Sequence, residues 1–375
     1  MIYLDYAANT PVDEEVMSCF INENNRYIAN PNSSHRMGKE AGERLKSITE
    51  QIAGLLQVAP SEIIYTSGAS EANNLAIKGI VQTYKYNGKH MISTCLEHPS
   101  VSGTLSYLQT LGYEIDLVDI TPDGLVDLEH LKELMREDTV LVSVCSVDSE
   151  LGVVQPMDRI ADIIRAYPGC FLHTDATQAI TKVPVSLRYA DCVTFAPHKF
   201  FGLNGCGVLL KRDTVVLTPQ IHGGTSTTPY RSGTPAPALA ASVWKALELS
   251  LAEAEERYLK VKEMNEYLKR QLLAYKKVRI NSTDYSVPHI LNLSVQGVKG
   301  GQFQEALGEE GVCVSVKSAC SVPGSPSRPV YAVTKDKKNA MCSWRVSLSH
   351  RTTKDELDYF LEAFRRCCER LAIDR

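Results

Sequence analysis

Many features that would simplify a functional reading are missing from this chain. No apolar run approaches the ~18 residues needed to cross a bilayer, so no membrane partner is expected. The opening MIYLDYAANTP has no basic stretch followed by an apolar one, so it does not read as a secretory signal, and the expected location is cytoplasmic. There is no CxxC, no HExxH and no Cys/His cluster, so no metal site is expected. The 11 cysteines lack framework spacing and are odd in number, which reads as free thiols in a reducing compartment. Charge of one sign is scarce too. Forty basic against 44 acidic residues leave a net charge of -4, with no electrostatic footprint for direct nucleic-acid binding. Internal repeats and low-complexity linkers are also absent.

What remains is length and alternation. The 375 residues, 44% hydrophobic and 22% charged, suit a soluble globular protein with two unequal domains or one large α/β unit. Strands are predicted at 62–66, 90–94, 113–119, 139–147, 170–175, 191–196 and 207–211, with helical stretches between most of them. In 36–56, Met37, Ala41, Leu45, Ile48, Ile52 and Leu55 recur at helical spacing. Such alternation predicts a mostly parallel sheet covered by helices on both faces. After about residue 235 a long helical stretch, 238–275, leads to a smaller α+β region. Its strands are predicted at 290–295, 312–316 and 344–349, and its helices near 300–310 and 353–371.

Ligands of open α/β sheets sit beyond the carboxyl ends of the strands, and several polar groups fall there. In TSGASEANNLAIKG (66–79) a strand gives way to a helix whose free N–H groups, with Ser67 and Ser70, could hold a phosphate; an ordinary Ser cap explains them equally well. Asp175 ends the strand of HTDATQ (173–178) and Gln178 follows three residues on. His98 opens a helix in LEHPSV (96–101), and Lys199 follows a strand in FAPHKFFGLNG (195–205). YRSGTP (230–235) is a glycine turn. SACSVPGSPS (318–327) puts Cys320 in an exposed kind of sequence that favours reactivity over packing. Arg345 in WRVSLS (344–349) suits capture of a carboxylate, unless it is a surface arginine on a half-exposed strand.

The order of these signals is more telling than any one of them. Phosphate turn, His, Asp-x-x-Gln, His-Lys, Arg-Ser-Gly-Thr, Ser-Ala-Cys and Arg-x-Ser-Leu, with LDYAANTP (4–11) and NPNSSH (30–35), make the chain resemble the NifS/IscS-like cysteine desulfurases. The resemblance extends to SLSHRTTKDELD (347–358). It implies an α/β fold-type I transferase dependent on pyridoxal 5'-phosphate. A large domain (16–240) would hold a mostly parallel seven-stranded sheet, and a smaller α+β domain (241–375) would be joined by the N-terminal segment 1–15. By this resemblance Lys199 carries the cofactor as a Schiff base and Asp175 pairs with its pyridine nitrogen. Gln178 and Ser149 lie at its phenolic oxygen, and His98 stacks on its ring. Ala69, Ser70 and His198 hold its phosphate. Thr234 reaches the phosphate of a second subunit, implying a homodimer. Arg345, with Asn30, binds the carboxylate of L-cysteine. Lys199, His98 and Cys320 are the implied catalytic residues. Cys320 takes the substrate sulfur as a persulfide, alanine leaves, and a protein acceptor, such as an iron–sulfur scaffold or tRNA-thiolation protein, receives the sulfur. The segment from Cys320 to about Tyr331 resembles the longer-loop group of the family.

The chain departs from the family pattern at Ala196, Asp148, Ser149 and Lys317, where Ser, Asn, Asn and Gly are usual. Lys317 adds a cation near the nucleophile. Selenocysteine lyase, cysteine sulfinate desulfinase, another reaction on this scaffold, and a non-enzymatic partner protein stay open as alternatives.

Overall fold

A computed structural model describes residues 1–184, 188–317 and 324–372. Its centre is a seven-stranded sheet. The strand order is Ile63–Thr66, Gly207–Lys211, Cys192–Phe195, Phe171–Asp175, Thr139–Ser143, His90–Ser93, Glu114–Leu117. Neighbours run parallel except Gly207–Lys211, which is antiparallel to both strands beside it. The interior strands are buried along their whole length, except at Phe171, as continuous apolar runs such as TVLVS require when helices cover both faces. All seven predicted strands are present, most trimmed by one to four residues at their ends.

Helix Arg36–Leu56 forms as its spacing dictates, burying Ala41, Leu45, Ile48 and Ile52 on one face, but Met37 in its first turn is exposed and Leu56 rather than Leu55 is buried at its end. Its start is capped by His35 Nδ1, which accepts from Gly38 N at 3.2 Å. The predicted helix 238–275 is instead two helices, Pro237–Ala252 and Ala254–Leu272, divided at Glu253. The division follows packing. Ala240, Ala241, Val243 and Leu247 belong to the core under the large sheet, whereas Val261, Met264 and Leu268 belong to a second core.

That second core lies under a three-stranded antiparallel sheet, Ser343–Ser347, Ile290–Val295 and Val278–Ile280. Leu4 inserts into it, and Ile2–Tyr3 pairs in parallel with Val312–Cys313. The predicted strand 312–316 therefore ends at Cys313, and Ser315 turns to bridge Arg345 instead. The predicted loop running to Tyr331 stops at Ser327. That residue caps helix Arg328–Thr334 by accepting from Val330 N at 3.2 Å, with Pro329 in the first turn. Among the described residues no helix is long and apolar enough to cross a membrane.

Candidate active site

A cavity of about 370 Å³ opens beyond the carboxyl ends of the parallel strands. Lys199, Asp175, Gln178, His98, His198, Ser149, Arg345 and the Ala69–Ser70 turn all line it. Asn30 is exposed and lies outside it, with its Oδ1 accepting from Asn32 N at 2.9 Å. Thr234 lines a neighbouring cavity of about 250 Å³ instead, with Ser67 common to both. Cys320 lies outside the described residues. A larger cavity of about 720 Å³ sits near Leu55, Tyr258 and Lys182, away from these groups.

Lys199 ends a short 3-10 turn, Pro197–Lys199, four residues past its strand. The turn is tight: a Cβ at Gly202 would stand 2.4 Å from Pro197 Cβ. The N-terminal segment straps it in place. Thr10 N and Oγ1 both donate to His198 O at 2.9 Å, and Phe201 N donates to Thr10 Oγ1 at 2.7 Å. The Lys199 ammonium donates to the carbonyls of Ala7 (2.9 Å) and Ala8 (2.6 Å). Thus LDYAANTP supplies backbone acceptors that hold the amine at the cavity.

Asp175 is 7% exposed and fully engaged. Thr177 N donates to its Oδ1 at 2.9 Å and Asn73 Nδ2 to its Oδ2 at 2.8 Å. Asn73, wholly buried, is the hub of this wall. Its Nδ2 also donates to Ser100 Oγ at 2.9 Å, and its Oδ1 accepts from Thr194 Oγ1 at 2.5 Å and from His173 Nε2 at 3.1 Å. All four hydrogen-bonding positions of the amide are used. Ser100 closes the circuit to His98, whose Nδ1 accepts from Ser100 N at 3.1 Å and lies 2.8 Å from Ser100 Oγ. This pattern assigns His98 the tautomer protonated at Nε2. Burial, and then the Lys199 charge, lowers the His98 pKa against the opposing pull of Asp175. Burial, Lys199 and Lys182 push His198 down to about 4. Both imidazoles are therefore neutral at pH 7.

Arg345 is 2% exposed, which removes the surface-arginine reading. Its NH1 donates to Ser149 O at 2.6 Å and its NH2 to Asp5 Oδ1 at 2.9 Å. Ser315 Oγ donates to Asp5 Oδ2 at 2.8 Å. Arg345 Nε and Thr177 Oγ1 are buried without a hydrogen-bond partner among the described residues. The Lys317 ammonium, expected near the nucleophile, donates to Ser325 O and Oγ, both at 2.8 Å.

The phosphate turn is pressed against the sheet: a Cβ at Gly207 would stand 2.5 Å from Gly68 C. Helix Ala69–Thr83 starts there, and its first N–H groups have no intrahelical acceptors. Arg231 Nε donates to Glu71 Oε1 at 2.8 Å, which ties the Arg-Ser-Gly-Thr turn to this helix start. An anion site at a helix N-terminus, a carboxylate, a facing imidazole and an amine in one cavity match the phosphate, ring nitrogen, ring face and aldehyde of pyridoxal 5'-phosphate. The residues fit that group.

A seven-stranded, mostly parallel sheet with these groups beyond its strand ends defines the fold-type I pyridoxal-phosphate transferases. The chain belongs to the aminotransferase class-V family, whose model matches residues 2–360. It is 37% identical over 382 residues to the cysteine desulfurase IscS of Pseudoalteromonas translucida, covering 99% of this chain and 93% of that one. Its fold superposes on a NifS-like protein with a TM-score of 0.91 at 31% identity, covering 99% of each. It superposes on the structure "SspA in complex with cysteine" with a TM-score of 0.82 at 28% identity, covering 94% of this chain and all of that one.

Proposed function

We propose that this protein is a cysteine desulfurase that uses pyridoxal 5'-phosphate joined to Lys199, converting L-cysteine to L-alanine and a persulfide on Cys320. The observation that carries this reading is the meeting of Lys199, Asp175, His98, Gln178 and Arg345 in one cavity. When bound, the cofactor supplies an electron sink for the carbanion at the substrate Cα. Asp175, fixed by Thr177 N and Asn73, holds a proton on the ring nitrogen and so keeps that sink effective. His98, on the ring face, and Gln178, at the phenolic oxygen, orient the group. Ala69, Ser70 and His198 take its phosphate. Ser149, whose carbonyl is committed to Arg345, borders the ring side of the cavity.

Arg345 receives the substrate carboxylate beside Asp5. Arg345 lines the cavity and its Nε has no partner among the described residues; a carboxylate held there would fix the direction of the Cα–H bond. Once the substrate amine has taken its place on the cofactor, Lys199 Nζ would be free to take the Cα proton. The Cys320 thiolate attacks the substrate sulfur. The Cβ–S bond breaks as the S–S bond forms, its electron pair stays on the carbon side, and protonation at Cβ with return of a proton to Cα from Lys199 yields alanine. The persulfide passes to a protein acceptor such as an iron–sulfur scaffold or a tRNA-thiolation protein. Thr234, outside the cavity of a single chain, serves the site of a second copy in a homodimer.

The test is alanine formation from L-cysteine and a reductant by cofactor-loaded protein, with Cys320→Ala as control. Alanine that depends on Cys320 is expected. Cofactor-loaded protein that forms none refutes the reading.

A further inference from the structure

Lys182 stands between the catalytic cavity and the larger cavity that it helps to line. Its ammonium is 2.7 Å from Gln178 Oε1, and no other hydrogen bond of that group is found among the described residues. The residue before it, Thr181, has φ +66. A β-branched residue in this left-handed region is strained and persists only where its surroundings demand it. The turn is otherwise ordinary, with Lys182 N and Val183 N donating to Ala179 O at 3.0 and 3.1 Å. The strained residue thus sends the Lys182 side chain back beneath Gln178.

The consequence concerns an amide, whose two ends have opposite hydrogen-bonding character. Burial, then Lys199 and Arg345, lower the Lys182 pKa to about 7, and the group can donate in either charge state; the Ala7 carbonyl can only accept, so the Gln178 atom facing it is the nitrogen and the atom facing Lys182 is the oxygen. The NH2 end then faces the cavity side, where it donates to Ala7 O at 2.8 Å and keeps one N–H in hand. The same Ala7 carbonyl accepts from Lys199. Gln178 is only 5% exposed, so little water is present to compete for either end.

We propose that Lys182 is a positioning residue that pins the Gln178 amide, so that the cavity always meets an N–H donor there and never a carbonyl oxygen. The proposal rests on reading the cavity as the cofactor site. Without Lys182, Gln178 Oε1 loses its partner, and only the Nε2 bond to Ala7 O then opposes turning the amide over. An oxygen would then face the phenolic oxygen of the cofactor.

The test is a double-mutant cycle on cofactor-loaded protein, read as the pH midpoint of the bound cofactor's absorbance change. A donor on the phenolic oxygen stabilises its anion and loosens the neighbouring proton. Losing that donor therefore moves the midpoint upward. Lys182→Met is expected to raise it by about one pH unit, and Gln178→Ala by a similar amount. Loss of the Lys182 charge alone would also raise it, so the double variant decides. If Lys182 acts through Gln178, adding Lys182→Met to Gln178→Ala moves the midpoint by less than about a third of its shift in wild type. Additive shifts overturn the proposal. Should Lys182→Met fail to fold, Lys182→Arg, which keeps the charge but misplaces the donor, completes the same cycle with the same criterion. If the wild-type protein shows no cofactor band even after incubation with pyridoxal 5'-phosphate, the functional reading and this inference fall together. A normal wild-type band with additive shifts removes the inference alone.

Discussion

Glu97 lies one residue before His98 and has a buried carboxyl group, 9% exposed. Its Oε1 accepts from Thr94 Oγ1 at 2.8 Å and from Cys145 N at 2.9 Å, while its Oε2 is buried without a partner among the described residues. Burial, helped by the charge of Asp175, pushes its pKa from the ordinary 4.5 up to about 8 against those hydrogen bonds. At neutral pH the folded protein thus holds a proton there that the unfolded chain releases. Between pH 5 and pH 8 this makes unfolding more favourable by ~1.4 kcal/mol per pH unit. The full window amounts to about 4 kcal/mol, trimmed to about 2–4 by relaxation around a charged carboxylate. Glu97→Gln keeps both acceptor contacts and has nothing to ionise. Thermal midpoints of cofactor-loaded wild type and variant, measured from pH 5 to pH 8, should nearly coincide at pH 5. They should separate by several degrees in favour of the variant at pH 8. The histidines work in the opposite sense. Burial lowers His173 to about 4 and His289 to about 3, so their contribution is present above 6.5 and lost as pH falls toward those values. Both proteins share them, and the difference cancels them. A gap that stays constant from pH 5 to pH 8 would refute a protonated Glu97.

Asn73→Ala removes four hydrogen bonds and strips His173 Nε2 and Thr194 Oγ1 of their shared acceptor. A loss of about 2–5 kcal/mol in denaturant unfolding is expected. Asp175 keeps only Thr177 N, so faster loss of cofactor on dialysis should accompany it; unchanged retention would show that Asn73 does not position Asp175. Arg345→Lys keeps the charge but cannot span Ser149 O and Asp5 together. The KM for L-cysteine should rise about tenfold or more, since 1.4 kcal/mol already amounts to tenfold; an unchanged KM would place the carboxylate elsewhere.

Most strands were legible because a strand buried on both faces must be apolar throughout, and TVLVS or CVTF has no competing reading at that length. The cavity was legible for a related reason: a parallel sheet sends every strand end to one edge, so polar residues just past several strands had to meet. What stayed hidden has no signature of its own type. Asn73 and Asn74 are identical neighbours in sequence. Yet Asn73 is the buried hub, while Asn74, partly exposed, merely donates to Ser70 O at 2.9 Å. Only the helix's rotation on the sheet separates them. Ala7 and Ala8 act through carbonyls, which every residue type supplies. The division at Glu253 sits in a helix-favouring stretch without Gly or Pro; it arises because two cores claim the two halves of the helix.

These hidden residues share a logic. Lys199, Asp175 and Arg345 are charged groups in a confined space, and each is held by something whose side chain carries no charge or whose backbone does the work: Ala7 and Ala8, Asn73 and Thr177 N, and Ser149 O. Asp5 is the exception, a carboxylate that neutralises the buried Arg345 and ties it to Ser315. A neutral holder orients a charge without cancelling it, so the charge stays available to a ligand. A charged holder must be displaced or shared. Of these three groups, Arg345 is therefore the one whose availability to an anion depends on where Asp5 goes. The strap that carries Asp5 also holds Lys199, so the N-terminal segment links the setting of the Arg345 guanidinium to that of the Lys199 amine.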